Sequence, residues 1–351
     1  MKKISQKQQK IIGIFLEREA ISSSEARNAF LKIGGNISLV TVKRALSEMV
    51  KAGILMTTGA GRATTYKISA VGRIFAEVDA KKYSFIEPDK RYGLHSYNFD
   101  LLPSLRTDIF SDDELKILND ATAEYEKRTK DLPPAIQKRE MERLIIELSW
   151  KSSKIEGNTY TLLDTEKLIL ENKEAPGHSK KEMQMILNHK DAFEFIHRNK
   201  SYFKVLTRKN MEELHALLVK DLNVGLGLRK RPVGVTGSMY KPLDNIHQIA
   251  EAVSALSLAV ERMQTPYAKA LTALLGISYI QPFEDGNKRT SRLMANAILL
   301  SYGCAPLSYR SVDENEYREA FFVFYELNSI IPFKKIFIDQ YDFAAKNYAV
   351  K

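Results

Sequence analysis

The chain contains 351 residues, of which 44% are hydrophobic and 27% are charged, and its formal net charge at pH 7 is +10. This composition is typical of a globular protein with two or three domains, and no stretch reaches the roughly 18 consecutive apolar residues of a membrane span. The single cysteine, Cys304, excludes an internal disulfide. Together with the lack of a signal-peptide pattern, these features predict a cytoplasmic protein without a membrane partner.

The excess positive charge lies almost entirely at the N-terminal end of the chain. Residues 1–70 contain twelve Lys or Arg against four Asp or Glu, a net of +8, whereas the remaining residues carry a net of +2. A basic tail would give the same count. A folded basic module would predict a polyanionic partner.

Three helices and a hairpin are predicted within this basic segment. Residues 5–19 place apolar side chains on one helical face, and a serine run begins a second helical pattern over 22–30. A third helical pattern covers 38–53 and ends at Gly53. β-Branched residues flank the glycine-containing turn at 59–62, which predicts a β-hairpin.

This order of elements resembles a winged helix-turn-helix domain over residues 1–70. In such domains the third helix enters the major groove of DNA and the hairpin touches phosphate. The resemblance implies that Thr41, Lys43 and Arg44 contact DNA, together with Arg62 at the hairpin tip. The alternative is that the same fold docks another protein and that these side chains only face solvent.

After an irregular connector over 71–110, the region 111–351 is predicted to be mainly helical. Helical periodicity recurs in at least seven segments of this region. One interruption, at 231–243, has the β-branched and glycine residues of a small hairpin, which is suited to be a lid or an edge that pairs with a peptide. The sequence therefore predicts a mainly α fold, in which a domain of helices plus a β-hairpin precedes an all-helical region.

Residues 281–292, QPFEDGNKRTSR, place three cations in the first turns of a predicted helix. These are Lys288, Arg289 and Arg292, which follow an Asp-Gly-Asn turn. A helix N-terminus disfavours a nearby cation by ~0.3–1 kcal/mol, so packing alone does not explain the arrangement. A bound phosphate does, because backbone N–H groups of the turn can cradle it and the two arginines reach the same side.

Asp285 fits this interpretation if its carboxylate holds a Mg²⁺ ion that bridges the phosphates of a polyphosphate. Without such an ion, the carboxylate would repel the phosphate. The alternative is that Asp285 or Asn287 only caps the helix, and that the arginines pair with acidic residues elsewhere.

The same run resembles the signature of the Fic (filamentation induced by cyclic AMP) family, His-Pro-Phe-x-Asp/Glu-Gly-Asn-Gly/Lys-Arg-x-x-Arg. The match comprises Pro282, Phe283, Asp285, Gly286, Asn287, Lys288, Arg289 and Arg292. Most members transfer AMP from ATP to a hydroxyl side chain of a target protein. The resemblance covers 111–351 and implies an all-helical core, with the hairpin at 231–243 as a flap that positions the substrate.

The resemblance also implies a role for each matching residue in binding ATP and Mg²⁺. Asp285 would bind the Mg²⁺ ion. Gly286 and Asn287 would hold the α-phosphate, and Arg289 and Arg292 would hold the outer phosphates. Lys288 belongs to the same nucleotide-binding loop.

A second match lies within a predicted inhibitory helix near 141–158. Ser152-x-x-x-Glu156-Gly157 resembles the family's inhibitory motif, Ser/Thr-x-x-x-Glu-Gly/Asn. In that family the glutamate pairs with the second arginine of the signature and blocks productive placement of the γ-phosphate, which here implies a pair between Glu156 and Arg292. The alternative is that Glu156 is a surface acid at the end of a helix.

Two positions depart from the common pattern of the family. Gln281 stands where the family has the histidine that takes the proton from the target hydroxyl, and an amide does not titrate near neutrality. Loss of such a base lowers the rate by ~10²–10⁴. Lys288 replaces the commoner glycine, as in the death-on-curing toxin branch, which uses ATP as a phosphate donor.

Three functions remain open on the sequence alone, and all of them include ATP binding. The first is an AMP-transferring enzyme that is inhibited by Glu156 and weakened at Gln281. The second is a nucleotide-responsive transcriptional regulator that binds DNA through residues 1–70 and has a catalytically weakened Fic domain. The third is a phosphotransferase like the toxin branch. The target protein stays unknown, and whether the chain forms a homodimer stays open.

Overall fold

The computed structural model describes residues 4–350, and within that range the chain forms sixteen α-helices and one two-stranded β-hairpin. The predicted mainly α fold is therefore confirmed. The chain groups into two compact units, and the first comprises the described residues of Met1–Leu105, Gly234–Lys241 and Asn315–Lys335. The second comprises those of Arg106–Val233, Pro242–Glu314 and Ile336–Lys351. The domain boundaries predicted at 70/71 and 110/111 remain predictions.

The first unit begins with three helices and a hairpin, in the order predicted. The helices are α1 (Gln6–Leu16), α2 (Ser23–Lys32) and α3 (Leu39–Lys51), and strands β1 (Leu55–Thr58) and β2 (Thr65–Ile68) pair antiparallel. Each helix follows a serine whose side chain accepts a hydrogen bond from a first-turn N–H, which satisfies one unpaired donor of the helix. The winged helix-turn-helix assignment itself stays a prediction.

The core of the first unit joins these N-terminal helices to a distant part of the chain. Phe15 and Leu46 are fully buried, and they lie in one apolar cluster with Val323 and Leu327 of α15 (Glu314–Leu327). Full burial of such a side chain contributes ~1.5–3 kcal/mol. The N-terminal helices therefore share their core with residues some 300 positions later in the sequence.

The predicted connector is structured. It contains α4 (Ala70–Ile74), α5 (Ala80–Ser84) and α6 (Leu101–Ser104). Between α5 and α6, the guanidinium of Arg91 lies 3.2 Å from the carboxylate of Glu326, and both side chains are almost fully buried. Tyr83 donates a hydrogen bond to the same carboxylate at 2.7 Å.

The prediction of a β-hairpin over 231–243 was wrong, because no strands pair within these residues. Pro232 and Pro242 lack the N–H that a ladder needs, so neither end of the segment can pair regularly. The backbone N–H of Lys241 instead donates to the carbonyl of His95, at 2.9 Å within the first unit. The segment is an irregular loop and not a flap of two strands.

The remaining helices follow the periodicity of the sequence. They are α7 (Asp112–Thr129), α8 (Pro134–Ile155), α9 (Leu162–Glu171), α10 (Lys180–Arg198), α11 (Arg208–Leu218), α12 (Ile246–Arg262), α13 (Pro266–Ile280), α14 (Asn287–Ser301) and α16 (Ile331–Asn347). Nearly every residue of α13 and α14 is buried, so the loop that joins them is held from several sides. Among the described helices, none has the length and apolar character needed to cross a membrane.

Candidate anion-binding site

The loop between α13 and α14 begins at Gln281 in an unusual backbone conformation. Gln281 ends α13 with a φ of 51°, in the left-handed region that costs a non-glycine residue roughly 1 kcal/mol. Its side-chain amide nitrogen donates to the carbonyl of Ser278 at 2.6 Å, and the residue is 7% exposed. The amide therefore caps the end of its own helix.

Arg229 holds this turn through backbone carbonyls. Its Nε donates to the carbonyl of Gln281 at 2.6 Å, and its own backbone N–H donates to the carbonyl of Pro282 at 2.9 Å. The two terminal nitrogens of the guanidinium donate to the carbonyls of Arg231 and Leu243. Arg229 is only 2% exposed, so it is a structural clamp on the loop.

Asn287 braces the other half of the loop with its side chain. Its amide nitrogen donates to the carbonyl of Phe283 and its amide oxygen accepts the N–H of the same residue, both at 2.8 Å. Among residues 4–350, no side chain caps the N-terminus of α14. If Asn287 binds a phosphate as predicted, its backbone N–H is the group available, because the side chain is already engaged.

Gly286 and Asp285 form the tight turn that precedes α14. Gly286 has a φ of 78°, and an added Cβ would lie 3.2 Å from Cγ1 of Val219, so the position favours glycine. Its N–H donates to Oδ1 of Asp285 at 2.6 Å. The Asp285 side chain is 54% exposed, which leaves its carboxylate accessible from solvent.

The structure brings the three predicted cations together at the start of α14. Arg289 is almost fully buried, with Nη1 donating to the carbonyl of Leu218 at 3.3 Å and Nη2 lying 3.7 Å from Oδ2 of Asp285. The side chain of Lys288 is 32% exposed and that of Arg292 is completely buried. Arg289 therefore lies beside Asp285 of the same motif, whereas Arg292 pairs with Glu156, an acid elsewhere in the sequence.

The pair between Glu156 and Arg292 is present. Nη1 of Arg292 lies 2.9 Å from Oε1 of Glu156, while its Nε and Nη2 donate to the hydroxyl and carbonyl of Ser152 at 2.9 and 2.8 Å. Lys288 lies 3.9 Å from the other oxygen of Glu156. Gly157, with a φ of 94°, turns the chain away at the end of α8. The motif at 152–157 therefore occupies all three nitrogens of the Arg292 guanidinium.

The electrostatics of Glu156 favour its charged form. Burial alone would raise the pKa of its carboxyl, but the charges of Arg292 and then Lys288 outweigh burial and hold the pKa below the ordinary value of 4.5. Two further ion pairs fix α8, between Lys151 and Glu314 at 2.8 Å and between Glu147 and Arg310 at 3.2 Å.

Sequence reasoning missed Arg229 and also His215, a fully buried residue of α11. Nε2 of His215 lies 2.9 Å from the carbonyl oxygen of Asp285. Burial lowers the pKa of this histidine to about 4, so the ring is neutral near pH 7. Both residues act on backbone carbonyls, and a sequence carries no local signal for such contacts over 50 to 70 positions.

The side chains predicted to contact DNA belong to the first unit. Thr41, Lys43 and Arg44 are exposed on α3, opposite its buried face, and Arg44 forms an exposed pair with Glu48 at 3.0 Å. Arg62 is exposed in a short 3-10 turn between the two strands. Lys2 and Lys3, which contribute to the predicted basic segment, lie outside the described residues.

These features define a candidate anion-binding loop at the N-terminus of a buried helix, with Arg292 of that helix paired to Glu156. The sequence model of the Fic/DOC family matches residues 205–299, which include the loop and α11. This part of the chain is therefore similar to the Fic/DOC family.

Curated relatives and solved structures agree with this assignment. The chain is 28% identical over 188 residues to a protein adenylyltransferase Fic from Nematostella vectensis, covering 52% of this chain and 44% of the relative. It is 28% identical over 208 residues to one from Culex quinquefasciatus, covering 58% and 41%. The chain thus spans less than half the length of these relatives.

The fold matches solved Fic structures at low sequence identity. A Fic domain containing signaling protein from Bacteroides thetaiotaomicron aligns with a TM-score of 0.56 and 22% identity, covering 66% of this chain and 94% of that chain. Fic-1 from C. elegans aligns with a TM-score of 0.56 and 18% identity, covering 67% and 71%. Both likenesses concern the fold alone.

We expect the ion pair of Glu156 to stabilise the folded protein above pH 4.5 and to stop doing so in acid. Because the folded-state pKa is lowered, the unfolded chain takes up the proton first, and the stabilisation disappears as pH falls through the folded pKa. The free energy of unfolding of the wild type minus that of Glu156→Gln should be largest above the ordinary carboxyl pKa of 4.5, at most ~3 kcal/mol, and should shrink as pH falls through the lowered folded-state pKa.

The measurement is urea denaturation between about pH 3 and pH 7. Glu166→Gln is the matched control at an exposed position of α9, and it should change the free energy by less than ~0.5 kcal/mol throughout. A difference for Glu156→Gln that grows on acidification would contradict the ion pair.

Proposed function

We propose that this protein binds ATP, with the nucleotide phosphates at the loop between α13 and α14. The uncapped N-terminus of α14 supports this, because its first N–H groups have no side-chain acceptor. Lys288 and Arg289 add positive charge beside those groups, and Gly286 allows close approach of a phosphate. The single observation that carries the proposal is the convergence of these donors on one loop.

The residues present also fit a Mg²⁺ ion held by Asp285. Its carboxylate is half exposed at the mouth of the loop, and a hard oxygen donor of this kind is what Mg²⁺ prefers. Among residues 4–350 there is no group of three or more Asp, Glu, His or Cys that could hold a metal ion. This suits Mg²⁺, which is usually bound by one or two carboxylates together with substrate phosphates and water. When bound, the ion would neutralise phosphate charge.

We propose that the reaction is that of the named relatives, protein adenylylation. A hydroxyl of a target protein would attack the α-phosphorus of ATP, the bond between the α-phosphorus and the bridging oxygen would break, and pyrophosphate would leave. The hydroxyl proton needs an acceptor. Gln281 does not provide one, because its amide nitrogen donates to Ser278 and an amide does not titrate near neutrality. The expected rate is therefore lower by ~10²–10⁴ than with a histidine base.

Glu156 would inhibit this reaction by withholding Arg292 from the outer phosphates. All three guanidinium nitrogens of Arg292 already have acceptors at the C-terminal end of α8, from Ser152 within the helix and Glu156 just after it. A γ-phosphate would have to displace the Glu156 carboxylate, which carries the same sign of charge. Removing Glu156 should therefore allow productive nucleotide placement.

A second candidate function is a nucleotide-responsive regulator that binds DNA. The observation that favours it is the exposed basic face of α3 together with Arg62, on a segment with a net charge of +8, while the reaction centre lacks a base. In that case the binding of ATP, without efficient transfer of AMP, would regulate DNA binding. The phosphotransferase alternative rests on Lys288. It is distinguished from adenylylation by whether label reaches the target protein from the γ-phosphate or from the α-phosphate of ATP.

We expect Glu156→Gly to produce slow labelling of lysate proteins from α-³²P-ATP. Adding Gln281→His to Glu156→Gly should raise the labelling rate by ~10²–10⁴, because a histidine base is restored. The wild type should label least. Glu171→Gly, which removes an exposed acid at the end of α9, is the matched control and should not increase labelling.

The outcomes of this assay separate the candidates. Equal labelling by the wild type and Glu156→Gly would refute inhibition by Glu156. Transfer only from γ-³²P-ATP would favour the phosphotransferase. Absence of any transfer from the doubly substituted chain, with ATP binding retained, would leave the DNA-binding regulator as the better candidate.

For that regulator, we expect the full chain to retard genomic DNA fragments in gels at low salt, because cations on α3 displace counterions from phosphate. Lys43→Ala with Arg44→Ala should weaken binding and reduce the slope of log K against log salt by ~0.9 for each phosphate that the variant no longer neutralises. Lys81→Ala with Lys82→Ala, at exposed sites on α5, is the charge-matched control. If the two double substitutions weaken DNA binding equally, recognition of DNA through α3 is contradicted.

A further inference from the structure

Helix α11 packs against the proposed anion-binding loop and the start of α14, with one hydrogen bond to each. His215 meets the loop at Asp285, and three residues later the carbonyl of Leu218 accepts a hydrogen bond from Arg289. These two hydrogen bonds join α11 to the predicted metal ligand and to one of the predicted phosphate ligands. The end of α11 therefore underlies both halves of the proposed Mg²⁺ and phosphate site.

The position of His215 fixes the tautomer of its ring. A carbonyl oxygen only accepts, so the Nε2 atom 2.9 Å from the oxygen of Asp285 must carry the proton. The ring also stacks on Phe283, with 3.8 Å between ring centroids and 9° between the planes. His215 thus contacts the loop by a directed hydrogen bond and by a flat face, and few side chains supply both.

The hydrogen bond of His215 restrains Asp285 through its backbone carbonyl and not through its carboxylate. The carbonyl of Asp285 is held by His215, and its Oδ1 is held by the N–H of Gly286 at 2.6 Å. Oδ2 lies 3.7 Å from Arg289, and the side chain is 54% exposed. The backbone and one carboxylate oxygen are therefore fixed, while the carboxylate still faces solvent.

A purely structural role for His215 predicts a different pattern of contacts. His189 of α10 is also fully buried, but its ring lies 3.5 Å from the hydroxyl of Ser149 and makes no hydrogen bond to the loop. In both histidines the second ring nitrogen, Nδ1 of His215 and Nε2 of His189, is buried with no hydrogen-bond partner among the described residues. The two residues therefore differ in the hydrogen bond to the loop, which His215 makes and His189 does not.

We propose that His215 is a positioning residue for the Mg²⁺ and phosphate site. By holding the backbone of Asp285, it sets the direction in which the carboxylate meets the metal ion. The inference rests on the proposed function, because it takes Asp285 as the Mg²⁺ ligand. Residues that orient a metal ligand in this way typically change metal affinity by about 10–100-fold when they are substituted.

The test is calorimetry of ATP binding to the full chain carrying Glu156→Gly, with Mg²⁺ and with chelator. The measured quantity, called the Mg²⁺ factor, is the Kd for ATP with chelator divided by the Kd for ATP with Mg²⁺. His215→Leu removes the donor and should reduce this factor about tenfold, whereas His215→Gln retains an N–H of similar reach and should recover most of it. His189→Leu, the matched buried histidine, should leave the factor unchanged even if it alters thermal stability.

Asp285→Asn is the reference variant, because its effect shows whether Asp285 binds Mg²⁺ at all, independently of the role of His215. If Asp285→Asn abolishes the Mg²⁺ factor and His215→Leu does not change it, His215 has no positioning role and the proposed site stands. If Asp285→Asn has no effect, both the metal role of Asp285 and the role of His215 are overturned. Should His215→Leu fail to fold by circular dichroism, His215→Asn, whose shorter amide cannot reach the carbonyl, takes its place with the same expected loss.

Discussion

The arrangement of the site depends on a single buried cation. The Arg292 side chain is completely buried, and an arginine cannot lose its charge at any ordinary pH. Burying such a charge without partners would cost several kcal/mol, so its three nitrogens require acceptors. In this structure Ser152 and Glu156 supply them, both from the C-terminal end of α8. A phosphate group is the natural competitor for the same donors, which makes the ion pair a candidate switch as well as a structural contact.

The rest of the loop is shaped mostly by contacts to its backbone. Arg229 holds the carbonyls at its beginning, Asn287 closes its middle, and His215 holds the carbonyl of Asp285. These three contacts engage carbonyl groups of the loop, so they do not use the N–H groups that the proposed anion would need. Glu156 is the group whose displacement from Arg292 the proposed function requires.

Local patterns in the sequence were enough to predict the helices and the cation cluster, but contacts between distant residues were not. Helical periodicity and serine caps depend on residues three or four positions apart, so α1 to α3 could be predicted directly. The prediction of a hairpin over 231–243 was wrong because Pro232 and Pro242 prevent regular strand pairing at its ends, although β-branched residues lie between them. Arg229 and His215 were missed because their partners are carbonyl groups, which every residue has. The pair of Glu156 with Arg292 was found only because a family resemblance linked two motifs 136 positions apart.

A double-substitution cycle on ATP affinity tests most directly whether Glu156 withholds Arg292 from the nucleotide. Calorimetry would compare the wild type, Arg292→Gln, Glu156→Gly and the chain with both substitutions. We predict that Arg292→Gln changes ATP affinity little in the wild type but weakens it about tenfold or more in Glu156→Gly, since a hydrogen bond to a charged group contributes ~1.5–3 kcal/mol. The same loss of affinity in both backgrounds would contradict the account.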